Sequence, residues 1–227
     1  MRNYKNIILI TNTDVGKMSG DMTLIYRRAE AMYYEKGIFT NLVVYKGLPQ
    51  SNSPYLTEYC SVVFLTSYND ICSYILKMKP GMIVLYGTKI GLLTYPLHRF
   101  IKKNNLDTLV FLDVQSAIEE VKEYPSNLKR KFFYPVYEWS FVKAINDVDG
   151  AFVVSNELIK NCELKRKNKK NSIMYYKIRC GINKTLSEME IIANRKEIRD
   201  KYGIDENATL FTYSGYRTAW QKVDKII

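Results

Sequence analysis

Short runs of β-branched and aliphatic residues alternate with helical patterns from Asn6 to about Cys180, and this alternation restricts the fold more than any other feature. The runs fall at Asn6–Asn12, Phe39–Lys46, Ser61–Leu65, Met82–Tyr86, Leu109–Val114, Gly150–Ser155 and Ser172–Cys180. They are close to continuously apolar, the pattern of parallel strands buried on both faces. Parallel neighbours need crossovers, and the intervening segments can supply them as helices. The first crossover is the clearest. Met22, Ile25, Ala29, Met32 and Tyr33 share one helical face, and Gly37 stands where a C-terminal cap belongs. Further helices are expected at Asn69–Lys79, Leu92–Asn104, Ser116–Tyr124, Leu128–Ile145, Asn156–Lys167 and Glu190–Tyr202. The expected fold class is therefore α/β, a doubly wound, mostly parallel, Rossmann-like sheet.

The pattern restarts near the end of the chain. Thr209–Gly215 reads as a strand and turn, and Tyr216–Ile227 as the opening of a helix striped by Trp220, Val223, Ile226 and Ile227. One strand and part of a helix cannot bury enough apolar surface to offset their ordering entropy. The expected organisation is an amino-terminal domain at 1–182, a linker and helix at 183–206, and the start of a truncated second domain at 207–227.

Composition narrows the function classes. The 227 residues are 47% hydrophobic and 25% charged, as in soluble globular proteins. No apolar run approaches the roughly 18 residues a spanning helix needs. Ile7–Ile10 is too short for the core of a signal peptide, so a cytoplasmic location is expected. Cys60, Cys72, Cys162 and Cys180 form no C-x-x-C pair and have no histidine nearby, which points to buried thiols. The net charge of +11 favours an anionic partner, whether phosphates, anionic lipid or nucleic acid. Lys and Arg are spread along the whole chain and no recognition motif appears, so nucleic acid is not expected.

In a doubly wound sheet ligands bind at the carboxyl ends of the strands, which directs attention to the loops after Asn12, Tyr86, Val114 and Ser155. The first loop carries Gly16, Ser19, Gly20 and Asp21 ahead of a helix N-terminus, a place that suits an anion; Ser19 or Asp21 as a helix cap explains it equally well. Gly16 and Gly20 have the wrong spacing for G-x-G-x-x-G, and Gly16-Lys17 is followed by Met18 where a P-loop needs Ser or Thr. A nicotinamide-dependent oxidoreductase is accordingly disfavoured. The second loop, Gly87–Gly91, has the same strand-to-helix character. The third carries Asp113, Gln115, Ser116, Glu119 and Glu120. Ser116 and Glu119 have capping-box spacing, which accounts for both, whereas Asp113 has no comparable local reason. His98 lies among Leu97, Phe100 and Ile101 and reads as packed or surface-lying; the sequence offers no hydrolase triad. No carboxylate pair has metal-ligand spacing on one loop, so no dedicated metal site is expected; no cofactor is expected either.

The order of these segments resembles the amino-terminal half of retaining GT-B glycosyltransferases of the family 4 type. In those proteins a Gly-Gly turn precedes a first helix of this length, as Ser19-Gly20 does here. Asp113–Glu120 is similar to their Asp-x-His-Gly-x-x-Pro-Glu-Glu-like segment, with Gln115 in the place of the histidine. Gly150–Ser155 is similar to a strand reading D-x-V-I-x-V-S, and Lys177–Asn183 to the P-x-G-I/V-D step that leaves the first domain. Arg199–Ile204 and Tyr213–Gly215 resemble the opening of the second domain.

The resemblance implies a nucleotide-sugar donor and a saccharide or lipid-linked acceptor, in polysaccharide or glycoconjugate biosynthesis. It places Ser19, Gly20, Asp21, Asp113, Gln115 and Glu119 on the acceptor side. Arg217, displaced by one position from the family's Gly-Arg turn, and Lys222 would bind the donor diphosphate. It also implies that most of the donor site belongs to the missing part of the second domain, so this fragment is expected to be inactive. The alternative is a catalytically inactive remnant, or a non-catalytic subunit that needs a partner chain. Lys129-Arg130-Lys131 followed by Phe132, Phe133, Tyr134, Tyr137, Trp139 and Phe141 mixes cations with aromatics, as helices at an anionic membrane surface do; a core helix with a basic first turn fits the same residues. Lys165–Lys170 reads as a solvated charge run.

Overall fold

The computed structural model describes residues 6–12, 20–47, 59–87, 90–123, 128–167, 172–178 and 186–210. The chain divides into two compact units, Met1–Arg179 and Cys180–Ile227. In the first unit the strands are β1 (Asn6–Thr11), β2 (Phe39–Tyr45), β3 (Cys60–Leu65), β4 (Met82–Tyr86), β5 (Leu109–Val114), β6 (Gly150–Val153) and β7 (Met174–Lys177). All pair in parallel, in the order β3-β2-β1-β4-β5-β6-β7. The crossovers carry α1 (Gly20–Lys36), α2 (Tyr68–Met78), α3 (Thr94–Lys103), α4 (Leu128–Asp147) and α5 (Asn156–Lys165). This is the expected α/β, doubly wound, Rossmann-like architecture.

Alternate residues of each strand feed two separate cores. Ile8, Ile10, Val43, Ile83, Leu85, Val110 and Leu112 pack with Ile71 and Ile75 of α2, Leu97 and Ile101 of α3, Phe141, Ala144 and Ile145 of α4, and Leu158 of α5. Ile7, Leu9, Leu42, Val44, Val84 and Phe111 pack on the other side with Ile25, Tyr26 and Ala29 of α1. Each such aliphatic side chain taken fully out of water contributes about 1.5–3 kcal/mol. Further along that second side the sheet covers itself with rings. Phe111, Phe152 and Tyr176 stack across β5, β6 and β7 at centroid distances of 5.0, 6.0 and 6.1 Å. Gly150 makes room for this, since a Cβ there would stand 2.5 Å from the Phe111 ring and 2.9 Å from the Met174 carbonyl oxygen.

A polar ladder crosses the amino edge of the sheet. Asn41, buried in β2, donates through Nδ2 to Asn6 Oδ1 at 2.9 Å, and Asn6 Nδ2 donates to the Met78 carbonyl at 2.7 Å. The Asn41 Oδ1 accepts from Ser61 Oγ of β3 at 2.9 Å and from Tyr74 Oη of α2 at 3.2 Å. One amide thus joins three strands and a helix.

Most elements fall where the sequence places them, with several corrections. The segment expected as a helix at Leu92–Asn104 is a 3-10 turn at Ile90–Leu93 followed by α3 from Thr94. Pro96 sits in the first turn of α3, where its missing N–H costs nothing. Ser116–Tyr124 is not an α-helix; a 3-10 turn occupies Ile118–Glu123 and Ser116 lies outside it. β6 ends at Val153 because Ser155 is taken up as the cap of α5, its hydroxyl accepting from the Leu158 N–H at 3.1 Å. β7 is an edge strand with mostly exposed side chains, not one buried on both faces. Gly37 does cap α1, its N–H donating to the Tyr33 carbonyl at 2.8 Å.

In the second unit, α6 (Glu188–Tyr202) starts at a capping box. The Ser187 hydroxyl accepts from the Glu190 N–H, and the Glu190 carboxylate accepts from the Ser187 N–H at 2.8 Å. The Arg199 guanidinium closes the other end by donating to the carbonyls of Glu206 at 3.1 Å and Ala208 at 2.8 Å. Thr209 and Leu210 are not in a strand, and the rest of the strand and helix expected from Thr209 onward lies outside the described residues.

Candidate functional site

The chain steps outward from β1 to β2 and β3, then returns to place β4 on the other side of β1. In sheets of this kind such a reversal is where a crevice forms above the carboxyl ends of the flanking strands, here β1 and β4, and where ligands usually bind. Its described rim begins with Asn12 after β1 and Gly87 after β4. Gly87 has φ +107°, and a Cβ there would lie 3.1 Å from Asn12 Oδ1. The backbone angle is what favours glycine at this position; the Asn12 amide would need to shift only a few tenths of an ångström to admit a Cβ.

Asp113 and Gln115 stand at the end of the next strand, β5. The Asp113 side chain is only 1% exposed and forms an ion pair with Arg28 of α1. Its other oxygen accepts a hydrogen bond from Gln115 Nε2. Sequence reasoning leaves Asp113 without a structural role, and the structure supplies one: a counter-charge from α1 for a carboxylate removed from water. Arg28 escapes that reasoning. Its only signal in the sequence is a cation next to Ala29 at the margin of the apolar face of α1. Gln115 spends one amide donor on Asp113; an amide has two donors and an accepting oxygen, which leaves capacity for a hydroxyl.

Glu119 belongs to a different cluster. The expected capping box with Ser116 does not form. Glu119 Oε1 instead accepts from Lys165 Nζ of α5 at 2.6 Å, and the same ammonium donates to Glu138 Oε1 of α4 at 2.8 Å. Burial pushes the Glu119 carboxyl upward, but the hydrogen bond and charge of Lys165 prevail and hold it below its ordinary value. The Lys165 hydrogen bond likewise lowers Glu138. Burial works against the Lys165 charge, yet the two carboxylates raise it overall. Tyr134 stands beside Glu138 with its hydroxyl pushed up to about 12, first by burial and then by that carboxylate; the Lys122 ammonium lies 3.9 Å from its ring centroid. Lys165 is therefore the tie between the 3-10 turn, α4 and α5 rather than part of a solvated run. The adjacent Arg166 is buried and pairs with Glu163 at 2.7 Å.

His98 is remote from the crevice. Its Nε2 is 3.8 Å from Asp149, and Asp149 also accepts from the Val110 N–H at 2.8 Å, at the amino end of β5. Burial lowers its pKa. The packed reading of this histidine agrees with its place at the opposite edge of the sheet. Cys60, Cys72 and Cys162 are buried free thiols, and burial raises Cys60 to about 11 and Cys162 to about 12.

The structure thus brings Asp113 and Gln115 together at one strand end and assigns Glu119 to a neighbouring tie. Gly20 opens α1 and Asp21 lies in its first turn. Ser19, Lys169, Lys170, Arg217 and Lys222 lie outside the described residues. Among the described residues there is no cluster of potential metal ligands, and no helix is long and apolar enough to cross a membrane.

No protein-family model matches this sequence, and no curated protein matches it. Solved structures do. Sucrose-phosphate synthase from Thermosynechococcus elongatus superposes with a TM-score of 0.55 at 14% identity, over 89% of this chain and 53% of that one. A shorter piece of the same enzyme matches over 87% of this chain and 99% of the piece, with a TM-score of 0.49 and 12% identity. WbmH from Bordetella bronchiseptica, solved in complex with NAD+, overlaps at a TM-score of 0.36 and 12% identity, over 66% of this chain and 56% of that one. At these identities the likeness is one of fold. This chain spans about half the length of the full synthase it matches.

Proposed function

We propose that this chain supplies the acceptor side of a nucleotide-sugar-dependent, retaining glycosyltransferase acting in polysaccharide or glycoconjugate assembly. One observation carries the proposal. The strand order reverses between β1 and β4, and Asp113 and Gln115 stand paired at the carboxyl end of the next strand, on a fold shared with a sucrose-phosphate synthase over 89% of this chain. The order of the sequence segments supports the same reading. In it the Gly20 loop and the strand end at Asp113 face the acceptor hydroxyl. The Arg28 pair fixes the Asp113 carboxylate, and Gln115 offers hydrogen bonds to a sugar. An amide does not titrate near neutral pH, so Gln115 orients and does not exchange protons. Arg217 and Lys222 neutralise the departing diphosphate, a stabilisation of developing charge. The acceptor is a saccharide or a lipid-linked saccharide, and transfer belongs to the whole protein.

Saturation-transfer NMR on the chain, with panels of saccharides, nucleotide sugars and nicotinamide dinucleotides, tests this. Saccharides are expected to receive magnetisation from the protein, and NAD and NADP are not. Dinucleotide binding in the low micromolar range, about −8 kcal/mol, with no saccharide signal would overturn the proposal in favour of an oxidoreductase.

A further inference from the structure

Helix α4 carries apolar side chains on two faces; among the described residues one face is buried and the other is exposed. Tyr134, Phe141, Ala144 and Ile145 are buried in the larger core. Phe132, Val136 and Trp139 are 80%, 49% and 56% exposed, and with exposed Lys143 they follow one another at intervals of four, three and four residues. That spacing lines them along one side of the helix. The stripe continues onto α3, where Tyr95 is 52% exposed with the Lys143 ammonium 6.0 Å from its ring and the Arg99 guanidinium 5.7 Å away. Arg99 and Lys103 also line a groove of about 500 Å³ between α2 and α3. Among the described residues no carboxylate pairs with Arg99, Lys103 or Lys143. The chain as a whole carries a net charge of +11.

We infer that this face of α4 and α3 docks on a bilayer that carries anionic lipid. Two terms act together there. Phe132, Val136 and Trp139 leave water for the boundary between headgroups and acyl chains, where amphipathic aromatic rings are favoured. The flanking cations meet a negative surface, each raising the partition about five-fold. A second copy of the chain fits this face poorly, because it would bring the same cations against one another. The inference stands on this surface alone and does not depend on the glycosyltransferase reading, although a lipid-linked acceptor would give it a use.

The chain has two tryptophans, so Trp220→Phe leaves Trp139 as the sole indole reporter. This variant is mixed with phosphatidylcholine vesicles with and without phosphatidylglycerol, and then with vesicles carrying brominated acyl chains. Co-sedimentation of the unmodified chain runs in parallel. Anionic vesicles are expected to shift Trp139 emission to the blue, and brominated chains to quench it. Raising the salt should release the protein, since screening acts beyond about 8 Å at physiological ionic strength. Arg99→Gln with Lys143→Gln is expected to lower the partition roughly twenty-five-fold, at about five-fold per cation. Phe132→Ser with Val136→Ser should abolish the blue shift while the circular dichroism stays unchanged, because both side chains are exposed. Equal binding to neutral and anionic vesicles, or an emission insensitive to brominated lipid, would overturn the inference. So would a blue shift that grows with protein concentration in the absence of lipid, which would assign the face to a second copy.

Discussion

Arg28→Met is expected to destabilise the amino-terminal unit by about 3–5 kcal/mol, the range for removing one partner of a buried ion pair. The size follows from burial. The Asp113 side chain is 1% exposed, so its charge cannot turn to water when Arg28 is lost. An exposed pair would lose about 1 kcal/mol or less. The i,i+3 pair of Arg27 and Glu30 is the internal control, since its arginine side chain is 50% exposed. Urea denaturation of Arg28→Met and Arg27→Met separates the two cases. Combining Arg28→Met with Asp113→Leu should return much of the lost stability, because no lone charge is then left buried. A loss for Arg28→Met no larger than that for Arg27→Met would mean that Asp113 is solvated in solution.

Asn41→Leu is expected to cost about 2–4 kcal/mol, because it strands several groups at once. Asn6 Oδ1 loses its donor, while Ser61 Oγ and Tyr74 Oη lose their shared acceptor. Tyr74→Phe removes a single hydroxyl from the same network and should cost about 1 kcal/mol. The ordering of the two by chemical denaturation is the check. If Tyr74→Phe proves the more damaging, the ladder is not centred on Asn41.

Both sites show where a sequence stops being legible. The strands are readable because burial on both faces leaves a continuous apolar run, and α1 because Ile25 and Ala29 repeat at helical spacing. Asp113 stands out as a strand-end carboxylate, but its partner lies 85 residues earlier in the chain, and spacing rules do not reach that far. Glu119 misleads for the same reason. Ser116 and Glu119 have capping-box spacing, yet Lys165, brought over from α5, takes the carboxylate and the segment winds as a 3-10 turn. Asn41 reads as a polar flaw within a strand until β1, β3 and α2 are packed around it. In α4 the abundance of aromatics hides two faces. Composition cannot say that Phe141 enters the core while Phe132 and Trp139 face water.

The measurement closest to the central claim is an amide-resolved NMR titration of the chain with whichever saccharide the panel identifies. The claim is that sugar binds above the carboxyl ends of β1, β4 and β5. Shifts are therefore expected to cluster at Asn12, Gly87, Val114, Gln115 and Ala117, and Gln115→Ala should weaken them while leaving the rest of the spectrum in place. Shifts clustered instead at the amino edge, around Asn6, Asn41, Thr108 and Asp149, would contradict the account.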